Sequence, residues 1–143
     1  MKEAIHTPKF GKVEYGDSDV IHVEEGLPGF TSLRRFLLIE SEQFSPIKFL
    51  QSLDDPIISF PLIDPRLVRA DYELSLDQDQ RATLGVLKSE EALAYSIVTL
   101  GRAVEEASVN LFAPLVINTS KMRASQVILL DSDYSVAEPL LRG

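Results

Sequence analysis

The chain has 143 residues, 45% of them hydrophobic, which suits one domain with a genuine core and argues against disorder of the whole chain. It contains no cysteine, so disulfides, thiolate nucleophiles and cysteine-ligated metals are excluded. Its net charge of −8, from 22 acidic and 14 basic residues, repels phosphate groups, so we expect no direct binding to nucleic acid or to anionic membranes.

Short apolar runs bounded by turn residues predict strands along most of the chain. In residues 11–15, Val13 and Tyr15 alternate with Lys12 and Glu14, which is typical of a half-buried strand. Further strands are predicted at residues 21–23, 36–39, 57–60, 96–100, 109–112, 115–117 and 126–130. About nine such strands without a repeated strand–helix–strand spacing predict a mainly β single domain over residues 1–143, either a sandwich or a closed antiparallel barrel.

One segment is predicted to be helical, ending at the apolar Leu84 with Gly85 as its left-handed stop. Ser75 is the predicted N-cap, with Gln78 three residues later to complete a capping box. Short helical turns are also predicted at Ser89 and at residues 32–33. The expected architecture therefore has one or two short helices beside the strands.

The sequence shows no pattern typical of a membrane span, a signal peptide or a catalytic site. No apolar run approaches the roughly 20 residues that cross a bilayer, and the N-terminus lacks the apolar stretch of a signal peptide, so we expect a cytoplasmic protein. The histidines, His6 and His22, do not have the spacing of a zinc site. Asp54 and Asp55 precede a proline, which favours a turn stabilised by their side chains over a catalytic pair. We therefore expect no enzyme, no cofactor and no metal.

The segment Glu25–Phe30 has the sequence Glu-Gly-Leu-Pro-Gly-Phe, which predicts two consecutive tight turns with glycine at positive φ. Its spacing does not match a phosphate-binding loop. Leu27 and Phe30 can fold back onto the sheet or stay exposed for a partner, and the sequence leaves both options open.

This turn begins a series of segments that resembles, in order and spacing, the bacterial flagellar assembly factor FliW family. The other segments are residues 50–56 (LQSLDDP), 97–99 (IVT), 109–114 (VNLFAP), 116–118 (VIN), 126–129 (QVIL) and 133–135 (DYS). Together they span nearly the whole chain. The resemblance departs at residues 101–107, where relatives tend to have a proline-bearing acidic turn.

The resemblance implies a compact, barrel-like antiparallel β-structure that acts in the cytoplasm by binding proteins, and we expect a monomer when it is free of partners. Members of the family bind flagellin before its export and also bind CsrA, the carbon storage regulator, a small basic RNA-binding dimer. Binding of CsrA relieves its repression of flagellin translation, and free flagellin competes for the factor. The implied role is a chaperone-like regulator of flagellum biogenesis, acting on CsrA indirectly rather than by covering its RNA-binding face.

Two sets of residues are candidates for the partner contacts. An acidic set is expected to attract the basic CsrA, and it comprises Asp17, Asp19, Glu24, Glu25, Asp54 and Asp55. An apolar set at turns and strand ends is expected to line a groove for flagellin, although a place in the core would explain the same residues. It comprises Leu27, Phe30, Leu111, Phe112 and Pro114.

Three other interpretations remain open at this point. A barrel that holds an apolar small molecule requires an unfilled interior, whereas the aliphatic strands here are able to fill a small barrel. A carboxylate-based hydrolase would use Asp54 or Asp64. A divergent family member would keep the fold and bind a different protein.

Overall fold

The structure is a computed structural model that describes residues 2–140, the side chains of Glu90 and Val104 excepted. Within these residues it contains eleven strands, one α-helix and several 3₁₀ turns. The strands are β1 (Glu3–Thr7), β2 (Gly11–Tyr15), β3 (Ile21–His22), β4 (Arg35–Glu40), β5 (Lys48–Ser52), β6 (Ser59–Ile63), β7 (Leu93–Thr99), β8 (Ser108–Val109), β9 (Leu115–Asn118), β10 (Arg123–Gln126) and β11 (Glu138–Pro139). The helix is α1 (Gln78–Leu84), and the 3₁₀ turns are Asp17–Asp19, Glu42–Phe44, Pro65–Leu67, Ser89–Glu91 and Val104–Glu106.

Seven of these strands close into a barrel, in the order β7, β6, β5, β4, β3, β10, β9 and back to β7. Neighbouring strands run antiparallel except β3 and β10, which are parallel and are joined at His22 and Arg123. Strands β8 and β11 extend the sheet beyond β7, and β1 and β2 form a separate hairpin. The prediction of a mainly β, barrel-like antiparallel fold is confirmed.

The interior of the barrel is filled by side chains from all seven strands. Because alternate residues of a strand point to opposite faces, each strand contributes every second residue to this inner cluster. Its buried members on the strands are Ile21, Phe36, Leu50, Leu62, Tyr95, Leu115, Ile117 and Ala124. Phe36, Leu50 and Leu62 are completely buried. This filled interior disfavours the alternative of a barrel that holds an apolar small molecule.

Two further clusters cover the outside of the barrel. Leu76 and Leu84, from α1 and the segment before it, pack with Val98 of β7 and Val116 of β9. On another side, the β1–β2 hairpin contributes Ile5 and the partly buried Val13 and Tyr15 to a cluster with Leu37 of β4. The barrel is therefore apolar on both faces over much of its circumference.

The helix begins two residues later than predicted. Its N-cap is Asp77, which accepts a hydrogen bond from the amide of Gln80 (2.8 Å), while the Gln80 side chain accepts one from the amide of Asp77 (3.0 Å). The predicted cap, Ser75, lies outside because the buried Leu76 donates its amide to Ser89 Oγ (3.0 Å), which holds residue 76 in a non-helical position. The predicted end is confirmed: Leu84 is fully buried and Gly85 has φ 75°.

Several predicted strand bounds are wrong for identifiable reasons. The strand predicted at residues 109–112 stops at Val109, because the Asn110 side chain accepts the amides of Phe112 and Ala113 and forms a turn. The strand predicted at 126–130 is β10, which begins at Arg123 and ends at Gln126; opposite the residues that follow it lies Pro114, which has no amide to donate. The helical turn predicted at residues 32–33 is absent, since the following amide of Arg34 is held by Asp54.

The Glu25–Phe30 segment forms the two consecutive turns that the sequence predicts. Gly26 donates to the carbonyl of Val23 (3.0 Å) and Phe30 to that of Leu27 (2.7 Å), and Gly26 and Gly29 have φ of 67° and 82°. The loop that contains both turns begins and ends at one hydrogen bond, from the amide of Val23 to the carbonyl of Arg34 (2.9 Å). This hydrogen bond therefore fixes the two ends of the loop next to each other.

The two glycines give a matched test of this loop. A Cβ at Gly26 would lie 2.5 Å from Thr31 Cα, whereas one at Gly29 meets no atom within 4 Å. We expect Gly29→Ala to cost about 1–2 kcal/mol, from its left-handed backbone alone. Gly26→Ala should cost clearly more, because the backbone of Thr31 must also move. Urea unfolding of both variants measures this, and equal losses would contradict the close approach.

Candidate protein-binding site

One end of the barrel opens into an apolar cleft of about 450 Å³. Phe60 of β6, Ile97 of β7 and Gln126 of β10 line it, and each is two residues along its strand from a member of the inner cluster. The cleft is therefore the mouth of the barrel, where inward-facing positions reach the surface. Its complete lining is Leu27, Pro28, Phe60, Ile97, Asn110, Ala113, Gln126 and Ile128.

The loop between β3 and β4 forms the rim of this mouth. Leu27 is only 2% exposed and anchors the loop in the inner cluster, whereas Phe30 is 37% exposed. The Phe30 ring packs edge-on against Phe60 with 5.1 Å between centroids, and Phe60 lies 6.4 Å from Phe36 in the interior. The sequence left open whether these residues are buried or exposed. Leu27 is buried in the core, whereas the Phe30 ring is partly exposed at the surface.

The other three predicted apolar residues flank the mouth rather than line it. Leu111 is fully buried and its carbonyl accepts the Tyr72 hydroxyl (2.8 Å) in the outer cluster. Pro114 is buried and Phe112 is half-buried, on either side of the lining residue Ala113. Leu111 and Pro114 are therefore core residues in this conformation, and the groove predicted from them is built from their neighbours.

The predicted acidic set is divided between exposed and structural carboxylates. Glu24 and Glu25 are exposed at the start of the mouth loop and make no side-chain hydrogen bond or ion pair within the described residues. Asp17 and Asp19 lie in the 3₁₀ turn after β2, where Asp19 accepts the amide of Gly16 (2.8 Å). Within this predicted set, only Glu24 and Glu25 belong to the loop that contributes Leu27 and Pro28 to the mouth.

Asp54 has a structural role. It accepts the amides of Arg34 (2.8 Å) and Arg35 (3.0 Å) and pairs with the Arg35 guanidinium at 3.2 Å. Partial burial alone would raise the pKa of this carboxyl, but the two amides and the guanidinium outweigh it, and the pKa is lowered. Asp55 accepts the amide of Ile57 (3.1 Å), as predicted for turn chemistry. This arrangement favours the structural explanation of the pair over a hydrolase.

The second candidate carboxylate of a hydrolase is also used locally. Asp64 caps the 3₁₀ turn Pro65–Leu67 by accepting the amide of Arg66 (3.0 Å). In the part of the chain that the structure describes, no three His, Cys, Asp or Glu side chains are placed to hold a metal ion. No helix among residues 2–140 is long and apolar enough to span a membrane.

A feature that the sequence did not reveal is a groove of about 570 Å³ beside α1, between residues 73–77 and 128–134. Four carboxylates line it, namely Glu73, Asp77, Asp131 and Asp133. The two pairs are far apart in sequence, and the packing of Val127 and Leu129 against Leu76 helps to bring them together. In the sequence, the one signal of this groove is the pair Asp131 and Asp133 after a predicted strand. The sequence does not show that Glu73 and Asp77 lie opposite this pair.

The fold and the mouth define a closed, self-filled β-barrel protein with an apolar opening at one end. Residues 3–140 match the family model described as FliW protein. The flagellar assembly factor FliW of Caldanaerobacter subterraneus subsp. tengcongensis is 39% identical over 138 residues, which are 96% of this chain and 92% of that protein. That of Thermoanaerobacter pseudethanolicus is 36% identical over the same shares.

A solved structure gives the same result. The crystal structure of a flagellar assembly factor FliW matches with a TM-score of 0.90 at 31% sequence identity, covering 99% of both chains. The chain belongs to the FliW family.

The lowered pKa of Asp54 predicts a pH-dependent contribution to stability. A folded-state pKa below the unfolded value stabilises the protein above the unfolded pKa of about 3.9 and loses that effect as pH falls through the folded pKa. We expect Asp54→Asn to lower the free energy of unfolding by about 1–2 kcal/mol near pH 7 and by much less near pH 2. Urea unfolding at both pH values measures it, with Glu25→Gln as a control that leaves stability unchanged near pH 7. A deficit that is equal at both pH values would refute this role.

Proposed function

We propose that this protein is a cytoplasmic flagellar assembly factor that binds flagellin before export and, alternatively, binds CsrA to relieve repression of flagellin translation. The observation that carries the proposal is family membership over residues 3–140, with relatives that are called flagellar assembly factors. The geometry that supports it is the apolar mouth. A filled barrel that exposes a ring at its opening suits recognition of a protein segment.

The mouth is the contact that we assign to flagellin. Phe60 and Ile97 line it together with the polar Asn110 and Gln126. The exposed Phe30 ring packs against Phe60 at its rim. Aromatic and aliphatic anchors inside a polar rim are the usual composition of an energetically important interface centre. An apolar segment of flagellin that is exposed before assembly would be shielded there from non-specific association.

The charge of the chain is the property that we assign to CsrA. A net charge of −8 attracts a basic partner over a distance set by ionic strength, which speeds encounter. The exposed Glu24 and Glu25 place two such charges beside the mouth loop. Competition between flagellin and CsrA for one small protein would then connect translation of flagellin to its secretion.

The mouth is tested by Phe30→Asp, which removes the exposed ring and adds a charge where an apolar anchor is expected. We predict at least about a tenfold loss of affinity for flagellin, measured by isothermal titration calorimetry, with the fold retained by circular dichroism. Leu87→Asp is the matched control, because Leu87 is 85% exposed and does not line the mouth. Equal losses in the two variants, or none in Phe30→Asp, would remove the mouth from the flagellin interface.

The charge contribution is tested by titrating CsrA at increasing ionic strength. We expect the affinity to fall by about tenfold or more between about 0.05 and 0.5 M salt, because surface charges are screened. Flagellin binding at the apolar mouth serves as the comparison and should change less. An affinity for CsrA that stays flat counts against a charge-led interface.

A further inference from the structure

The groove beside α1 is lined by polar and acidic side chains together with four aliphatic ones, two of which are exposed. Leu76 and Leu129 are buried at its base, while Ile128 and Leu130 lie along one wall, Leu130 with 79% of its surface exposed. Neighbouring exposed aliphatic residues in a concave site are typical of a surface that another molecule covers. The position of Ile128 adds to this, because it lines both the groove and the barrel mouth.

The charge of the groove has one sign. Among the residues that the structure describes, its lining includes Glu73, Asp77, Asp131 and Asp133 and no lysine or arginine. Within the described residues, the side chains of Glu73 and Asp131 make no hydrogen bond or ion pair. Arg69 stands at one end, where it pairs with Asp133 (3.8 Å) and with Asp71 outside the groove. Basic groups of an incoming molecule would therefore meet carboxylates that have no other partner.

Two hydrogen bonds join the walls of the groove, and one wall turns at residues 129–132, where the amide of Ser132 donates to the carbonyl of Leu129 (3.0 Å). Gln80 Nε2 donates to the carbonyl of Ile128 (2.9 Å), and the amide of Glu73 donates to the Tyr134 hydroxyl (2.8 Å). Val127 and Leu129 donate their amides to the opposite side, to the carbonyls of Pro114 and Phe112. Successive amides of an extended chain point in opposite directions, so the amide of Ile128, between those of Val127 and Leu129, faces the groove. It makes no hydrogen bond within the described residues.

We propose that this groove binds an extended cationic segment of a partner protein in which basic residues alternate with apolar ones. The backbone of the segment pairs with the amide of Ile128, its apolar side chains cover Ile128 and Leu130, and its cations meet Glu73 and Asp131. The inference rests on the proposed function for the role of the chain as a protein-binding factor. It adds a second contact surface, distinct from the acidic residues between Asp17 and Asp55.

The test uses the full chain and synthetic peptides of about eight residues, the length of a strand that could span the groove. An alternating Lys–Leu peptide is titrated and followed by amide chemical shifts. An alternating Lys–Ser peptide of equal charge is the comparison. We expect shifts confined to residues 73–80 and 128–134, and about tenfold weaker binding of Lys–Ser, because its side chains bury no apolar surface.

Two double variants with the same change in net charge locate the site. Glu73→Lys with Asp131→Lys should weaken Lys–Leu binding by about tenfold or more, while Glu24→Lys with Glu25→Lys should weaken it by no more than about twofold. All four side chains are exposed and unpaired within the described residues, so both variants are expected to fold. Equal effects, shifts outside the groove, or no binding would overturn the proposal. Concentration-dependent shifts in the protein alone would show that a second copy covers the groove, which also overturns it.

The same variants separate this inference from the proposed function. Wild-type protein that binds CsrA and flagellin but not the peptide leaves the proposed function intact and rejects the groove. Wild-type protein that binds the Lys–Leu peptide in the groove but neither CsrA nor flagellin supports the groove and rejects the proposed function.

Discussion

The structure depends on the position of β7, which closes the barrel and supports the layer outside it. Its first half pairs with β9 from Leu93 to Tyr95, its middle pairs with β6, and its end pairs with β8 at Val98 and Thr99. Alternate residues serve two cores, because Tyr95 belongs to the inner cluster and Val98 to the outer one. Ile97 of this strand lines the mouth, and Val98 packs in the outer cluster with Leu76 and Leu129, which form the base of the groove beside α1.

Much of this architecture could be predicted from the sequence, because short runs of β-branched and aromatic residues between turn signals report strands directly. The turn at Gly26 and Gly29 and the helix end at Gly85 were predictable because each needs a backbone conformation that favours glycine. Strand β5 was missed, since it combines buried Gln51 and Ser52 with apolar residues and shows no alternation of polarity. Gln51 can be buried because its side-chain amide donates to the carbonyls of Ser52, Pro56 and Ile58. These contacts depend on the folded chain and cannot be read from the sequence.

The candidate site was predictable only in part, and for a related reason. Periodicity shows that Leu27, Phe30 and Leu111 are apolar residues near chain turns, but it does not show which of them is covered. Packing decides this, leaving the Phe30 ring at the surface and burying Leu111 completely. Acidic residues raise the same difficulty. Asp54 is engaged with Arg35, while Glu73 and Asp131 face an open groove, and composition alone assigns all three the same charge.

The single hydrogen bond between Val23 and Arg34 gives the mouth loop a modular character. Residues that face the opening lie between two barrel strands whose ends are fixed by that bond, and Leu27 and Leu33 of the loop are buried in the inner cluster. Related proteins can therefore diversify the remaining residues of this loop without disturbing the cylinder beneath. A protein engineer could graft a homologous loop at the same two positions, provided that the two buried leucines and the two turn glycines are retained.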